Sequence, residues 1–228
     1  MCTYAGIRSY GADKSDPIKS VIDTQVRAFE EAGAVVEPVT LGIKRSQQEL
    51  SDLWCRLIIP RNIATLEAAS ANGPDLLGEH RKDFPPEYLH WIEEGYKLSA
   101  VDVYKDQEIR TEIYDCIQQV FSKYDLLVTP TLACLPVDNA DDGNTIGPTQ
   151  INGEAVDPLI GWCLTYFINF TGHPAASIPA GLSTSGLPIG MQIIGRRYAD
   201  SEVLAASAEF QRIRPRPDIY QVARTRTG

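Results

Sequence analysis

The side chains of this sequence suited to nucleophilic or metal chemistry are few and scattered. His80, His90 and His173 lie far apart, at a spacing that matches no ligand set, so no metal site is expected. Cys134 or Cys163 with His173 is the Cys/His nucleophile pair on offer; against it, buried structural cysteine is the commoner state. The sequence has no GxSxG nucleophile elbow, GxxxxGK[ST] phosphate loop, GxGxxG or HExxH. Nucleotide-binding and zinc-protease chemistries therefore have no support.

What stands out is a block of linked segments. It reads DLLVTPT over 125–131, GW at 161–162, TYFINFTGHPAASIPAG over 165–181, and GLPIGMQIIG over 186–195, with Asp200 and a helical stretch behind it. Trp162 and Phe167, five apart, suit core packing, and aromatics are also common at a pocket rim. Asn169 reads either as a cap or turn residue or as a substrate contact. Gly172 and Pro174 suit a backbone turn, and Gly186, Pro188, Gly190 and Gln192 suit turn and strand geometry. Thr131 and the loop behind it suit a lid over a cleft.

These residues need a scaffold, and the chain has the composition for one. Of 228 residues, 43 % are hydrophobic and 22 % charged, an ordinary globular balance with enough apolar surface to offset chain entropy. A net charge of −9 argues against nucleic-acid binding, which needs a basic face. The basic excess of 176–228 is all arginine (Arg196, Arg197, Arg212, Arg214, Arg216, Arg224, Arg226), which suits a solvated face, or docking on an acidic partner. Cys2, Cys55, Cys116, Cys134 and Cys163 form no CxxC pair, and Met1–Gly6 carries no signal-peptide pattern. Reduced cysteines in a cytoplasmic protein are the expectation. No apolar run reaches the roughly 18 residues of a membrane span.

Periodicity supplies the elements. Tyr4–Ile7 is a strand candidate, Gly11–Asp16 a turn, and Pro17–Glu31 an amphipathic helix stopped by Gly33. Ala34–Val39 is a second strand, completing a βαβ unit with a parallel sheet. Helices are predicted over Ser46–Ala71, Glu87–Leu98 and Val101–Tyr124, then a buried strand over Asp125–Thr129. Pro130–Asp157 shows no period and reads as a long loop. Asp157-Pro158 reads as the start of a helix running to about Phe167. Strands follow at Ala176–Pro179 and Ile189–Ile194, joined by the turn Ser183–Leu187, and Asp200 is read as the cap of a final helix, Ser201–Arg212. The expected fold is α/β, one mixed β-sheet flanked by helices, with residues 1–228 as a single domain.

In order and spacing, the three C-terminal segments resemble the amidase signature family, serine hydrolases of carbon–nitrogen bonds. The resemblance covers nearly the whole chain and is strongest over Asp125–Gln211. Two local departures are Phe167-Ile168, where a proline often stands before the apolar residue and Asn169, and Arg214-Pro215-Arg216-Pro217, where an aromatic commonly follows R-P. The resemblance implies the C-terminal half of the family fold. The Gly/Ser-rich signature holding the family's Ser–Ser–Lys machinery has no match here. It therefore assigns no catalytic residue to this chain and no cofactor. It places Asn169 to Ser177 near the substrate's acyl pocket; with the aromatics Trp162 and Phe167 as rim candidates, the expected substrate contacts are Trp162, Phe167, Asn169 and Thr171. The implied partners are an N-terminal amidase half or a second copy of the chain, and a small amide substrate, with neither nucleic acid nor membrane. The chain fits a truncated reading frame, a cleaved half or one subunit. Two other readings stay open: a non-catalytic folded remnant or interaction module, and part of the A subunit of a tRNA-dependent amidotransferase. A domain cut between its halves is expected to bare strands at Asp125–Thr129, Ala176–Pro179 and Ile189–Ile194 and so to associate.

Overall fold

The computed structural model describes residues 2–4 and 17–216. Strand β1 (Cys2–Tyr4) is followed by helices α1 (Pro17–Gln25) and α2 (Arg27–Glu31) and by strand β2 (Glu37–Pro38). β1 pairs in parallel with β2, as a βαβ unit requires. The proposed helix Pro17–Glu31 is thus two helices in sequence, divided at Val26. Residues 5–7 of the first strand candidate and the turn Gly11–Asp16 lie outside the described residues. Among the described residues, Glu37 and Pro38 of the Ala34–Val39 segment pair with Thr3 and Tyr4.

Three long helices follow. α3 (Gln47–Ala71) runs on through Pro60 and starts at a capping box, in which Ser46 Oγ accepts from Glu49 N at 3.2 Å while Ser46 N donates to Glu49 Oε2 at 2.8 Å. α4 (Pro86–Lys97) starts on proline, and α5 (Ala100–Phe121) starts at a second capping box, Ser99 with Asp102. Arg56 of α3 grips the buried Asp106 of α5 through two nitrogens, both at 2.9 Å. α4 crosses α3 closely at Gly95, where a Cβ would lie 2.7 Å from Ile63 Cδ1.

β3 (Leu126–Pro130) lies parallel to β1 and antiparallel to a later strand, β7. Between β3 and β7 come the hairpin strands β4 (Gln150–Ile151) and β5 (Glu154–Ala155), the one-turn helix α6 (Tyr166–Asn169) and strand β6 (Ala175–Leu182). β7 itself is Pro188–Gly195, and helix α7 (Asp200–Ile213) closes the described chain. The main sheet has the order β2-β1-β3-β7-β6, parallel across the first three strands and antiparallel beyond. It is the expected mixed sheet between helices. Val128, Ile178, Met191 and Ile193 face α1, α2 and α7 on one side. Leu127 and Ile194 face α3, α5 and the 164–170 segment on the other.

Four expectations are corrected. The 130–157 loop holds a hairpin, whose two-residue turn Asn152-Gly153 has φ of 49° and 82°, the left-handed pair that an Asn-Gly turn adopts. The helix from Asp157 does not propagate. Asp157 Oδ1 does accept from Leu159 N (2.8 Å) and Ile160 N (3.2 Å), but Cys163 then forms an extended bridge to Leu132 and helix resumes only at Tyr166. Asp200 is not the cap of α7: it stands in the first turn, where its charge favours the helix N-terminus, and Ala199 precedes it. Finally, β3 and β7 are not bared. Each pairs on both edges and is covered on both faces; β6 alone of those three strands is an edge.

Met191, Ile193 and Ile194 of β7 are all 0 % exposed. Ile193→Ala should therefore lower the free energy of unfolding by about 3 kcal/mol, the cost of a cavity in a two-sided core. Urea unfolding followed by circular dichroism checks this. An unchanged midpoint would show that β7 is not the centre of the core.

Candidate functional site

Strand register builds a polar row inside this core. Thr129 stands opposite Gln192, and Gln192 opposite Ser177, so three polar side chains lie side by side on the face that carries Leu127 and Ile194 two residues away. Thr129, 0 % exposed, donates to the Pro130 carbonyl (3.0 Å) and accepts from Gln192 Nε2 (3.1 Å). Gln192 Nε2 also reaches the Leu164 carbonyl at 3.5 Å.

The row then rises out of the core. Thr131 N donates to Gly190 O at 3.0 Å, and the Thr131 and Ser177 hydroxyls share a 2.8 Å hydrogen bond across Gly190. A Cβ at Gly190 would sit 2.8 Å from Thr131 Oγ1 and 3.4 Å from Ser177 Oγ, so the hydroxyl pair needs glycine beneath it. Thr129 and Gln192 are buried, Thr131 is half-buried, and Ser177 is exposed.

The expected substrate contacts lie on the segment that runs along this row. Leu164 N donates to Thr131 O (3.0 Å) and Ala133 N to Trp162 O (2.9 Å), which holds 162–164 against 131–133. Trp162 is half-buried; its Nε1 donates to Pro158 O at 3.1 Å, and its ring fills the space where a side chain at Gly147 would stand. Phe167 is 4 % exposed and meets Tyr166 edge-on at 6.4 Å within the core. Asn169 ends α6, exposed, with Nδ2 bonded to Thr165 O at 3.2 Å. Thr171 is buried and donates to Ile168 O at 2.8 Å. Trp162 and Asn169 thus reach the surface, whereas Phe167 and Thr171 support it from within.

Gly172 turns the chain at φ +66°, and His173 follows, buried against the rings of Phe121 (4.9 Å) and Tyr114 (5.7 Å). Because the Thr171 hydroxyl donates to Ile168, it accepts from His173 Nδ1–H at 2.7 Å. His173 Nε2 then accepts from Gln118 Nε2 at 3.3 Å, and Gln118 also donates to Tyr114 Oη at 2.8 Å. This series of bonds assigns the neutral Nδ1–H tautomer. Burial, with Arg197 nearby, pushes the imidazole down to about 4.

His173 therefore makes no nucleophile pair: its ring nitrogens are taken by Thr171 and Gln118. Burial pushes the Cys163 thiol up to about 11 and raises that of Cys134 as well, away from the thiolate form. Among the described residues no cluster of three or more His, Cys, Asp and Glu side chains is placed to hold a metal ion. A cavity of about 340 Å³ opens between Gly42–Arg45, Glu49 and Glu112, and no residue of the polar row lines it. The row is uncharged. Its chemistry is hydrogen bonding, suited to orienting a group and unsuited to attacking one.

Sequence reasoning took Gly190 and Gln192 for strand geometry and passed over Thr129 and Ser177. Their signal was present: single polar residues inside the apolar strands LLVTP, AASIP and GMQII. Only register shows that they meet.

The neutral His173 has a measurable consequence. A native pKa near 4 against about 6.5 unfolded means the unfolded chain binds the extra proton between those values. The contribution is complete above pH 6.5 and is lost as pH falls toward 4, about 3 kcal/mol at most. Urea unfolding of wild type and His173→Gln across pH 4–7 should converge at the acid end. Parallel curves would place a solvated imidazole there.

The Amidase family model matches residues 5–204. The chain is 48 % identical to a bacterial aryl acylamidase of solved structure, with a TM-score of 0.89 over 96 % of this chain and 45 % of that one. It is 29 % identical to an acylamidase of Rhodococcus erythropolis, over 91 % of this chain and 41 % of the relative. It is 30 % identical to the A subunit of the glutamyl-tRNA(Gln) amidotransferase of Moorella thermoacetica, over 90 % of this chain and 44 % of that relative. The chain thus spans less than half the length of these relatives, and the match over residues 5–204 places it in one family: it belongs to the Amidase family.

Proposed function

We propose that this chain is the C-terminal part of an amidase that hydrolyses a carbon–nitrogen amide bond, and that it acts only together with an N-terminal part. The observation that carries this reading is the likeness to the aryl acylamidase across almost the whole chain. The site supports it: the row is neutral and hydrogen-bonding, and both thiols beside it are raised, so an attacking group would come from elsewhere. On the same ground an aryl-substituted amide is the first substrate class to test. Trp162 and Asn169 contact the substrate, with Phe167 and Thr171 fixing the segment behind them. Partner recognition runs through the exposed end of the row and the β6 edge, by an N-terminal part or a second copy. Cytoplasmic residence completes the proposal. No helix among the described residues is long and apolar enough to cross a membrane.

The amidotransferase relatives favour a second reading, in which the chain is part of such an A subunit. Transfer of an amide nitrogen to a charged tRNA only in the presence of partner proteins would select it.

The test is acetanilide hydrolysis by the purified chain, alone and with the N-terminal portion of the aryl acylamidase supplied. The chain alone should show no turnover above background, because an oxyanion site and an activated nucleophile supply most of a hydrolase's rate. The combination should show turnover, and Trp162→Ala and Asn169→Ala should raise KM about tenfold with a smaller change in kcat. Turnover by the chain alone that one of its own substitutions abolishes would overturn the reading. A stable but silent complex would indicate a non-catalytic module.

A further inference from the structure

Strand register fixes which backbone groups of β6 meet β7 and which face away. Gly195 N donates to Pro174 O, so Gly195 turns its backbone groups toward β6, and Ile193 and Met191 do the same at two-residue spacing. Their partners Ala176 and Ile178 therefore point inward to β7, while Ala175, Ser177 and Pro179 point outward. Along that outer edge stand the amides of Ala175 and Ser177 as donors and the carbonyls of Ala175, Ser177 and Pro179 as acceptors. None of these groups has a hydrogen-bond partner among the described residues. Pro179 sits where a missing N–H forfeits no bond to β7, and a register shift between Pro179 and Gly181 ends the regular edge behind it. The opposite edge of the sheet is guarded: β2 is Glu37 and Pro38, a charge and a proline. Ala175–Ile178 carries neither. α1 and α7 cover one face of β6, and on the other Ala175 and Ser177 are exposed. An open edge of this kind binds extended polypeptide.

We propose that Ala175–Pro179 of β6 receives a β-strand from the polypeptide that the longer relatives carry outside the matched span. This rests on the reading that the chain acts with an N-terminal part, and it specifies how the two join. The match takes in 45 % of the aryl acylamidase, so more than half of that protein is left to supply the strand. A second copy of this chain is the poorer occupant, because it brings the same net charge of −9 to the edge. An added strand alternates as its neighbour does. Its side chains on the Ile178 side extend the apolar layer beneath α1 and α7, and those beside Ser177 cover the face that is exposed in this chain.

Amide hydrogen exchange of the isotope-labelled chain, followed by NMR, reads the pairing residue by residue. In the chain alone Ala176 and Ile178 should be protected, and Ala175 and Ser177 should exchange freely. The probes are overlapping peptides, each about 12 residues and so longer than a typical strand, that together cover the part of the aryl acylamidase outside the match. One of them should slow Ala175 and Ser177 about tenfold, the protection of one backbone hydrogen bond, and leave Ala176 and Ile178 as they were. The coexpressed complex with the N-terminal portion should show the same alternation. Ser177→Pro removes an outward donor and no bond to β7, so it should keep the fold and weaken binding of that peptide about tenfold. Should Ser177→Pro fail to fold, the wild-type exchange pattern decides alone. Protection of Ala175 and Ser177 in the chain alone, by its own residues or, at rising concentration, by a second copy, would overturn the proposal. So would their free exchange with every peptide and in the complex, slowing that ignores the alternation, or binding indifferent to Ser177→Pro. Exchange reads pairing and the complementation assay reads turnover. Turnover without protection at Ala175 and Ser177 sinks this inference alone, and protection without turnover leaves it standing.

Discussion

The structure depends on burial of β7 from both sides. Its residues alternate between two apolar layers, Met191 and Ile193 toward α1, α2 and α7, and Ile194 toward α3 and α5. A strand in that position must pair on both edges, since unpaired backbone groups in an apolar interior are costly. β3 and β6 supply those edges. Once the three strands are in register, the helices on either face have fixed surfaces to cover, and the segments after β3 and before β6 are drawn to the same end of the sheet.

The polar row is the exception within that core. Thr129 and Gln192 are nearly fully buried, yet they sit on the face that elsewhere presents Leu127 and Ile194. Replacing them with apolar side chains of like shape would suit packing alone. What they add is a line of polar side chains in two hydrogen-bonded pairs, Gln192 with Thr129 in the interior and Thr131 with Ser177 at the exposed end. Rigidity comes from the strands, and access comes from the end of the row, a division suited to a binding wall.

Charge is arranged locally, and most of it is spent within the chain. Arg196 meets Asp125 at 3.1 Å, Arg212 meets Glu209 at 2.7 Å, and Arg214 binds Glu31 across α7 and α2. The described arginines of the C-terminal run thus pair with this chain's own carboxylates as much as they offer a basic face. Arg196, Arg212 and their partners are substantially exposed and contribute little to stability. Arg56 with Asp106 differs, because Asp106 is buried and each partner needs the other. That pair ties α3 to α5, and α5 carries the Tyr114, Gln118 and Phe121 that enclose His173.

Local sequence determined much of the architecture. Helical periodicity and capping residues such as Ser46 and Ser99 mark the long helices, because caps and apolar spacing act within a few residues. Largely apolar runs without alternation mark β3 and β7, and the three C-terminal segments mark the family. Where local signals compete, tertiary structure decided. Asp157 has the chemistry of a helix start, but pairing of Cys163 with Leu132 holds the next residues extended. The Asn152-Gly153 hairpin is too short for periodicity to show. The four expected contacts could be placed on one segment, yet which of them face outward depends on what packs behind. The polar row lay furthest from view. Thr129, Ser177 and Gln192 stand on three separate strands, and only strand register, a non-local property set by two-sided burial of β7, brings them into one line.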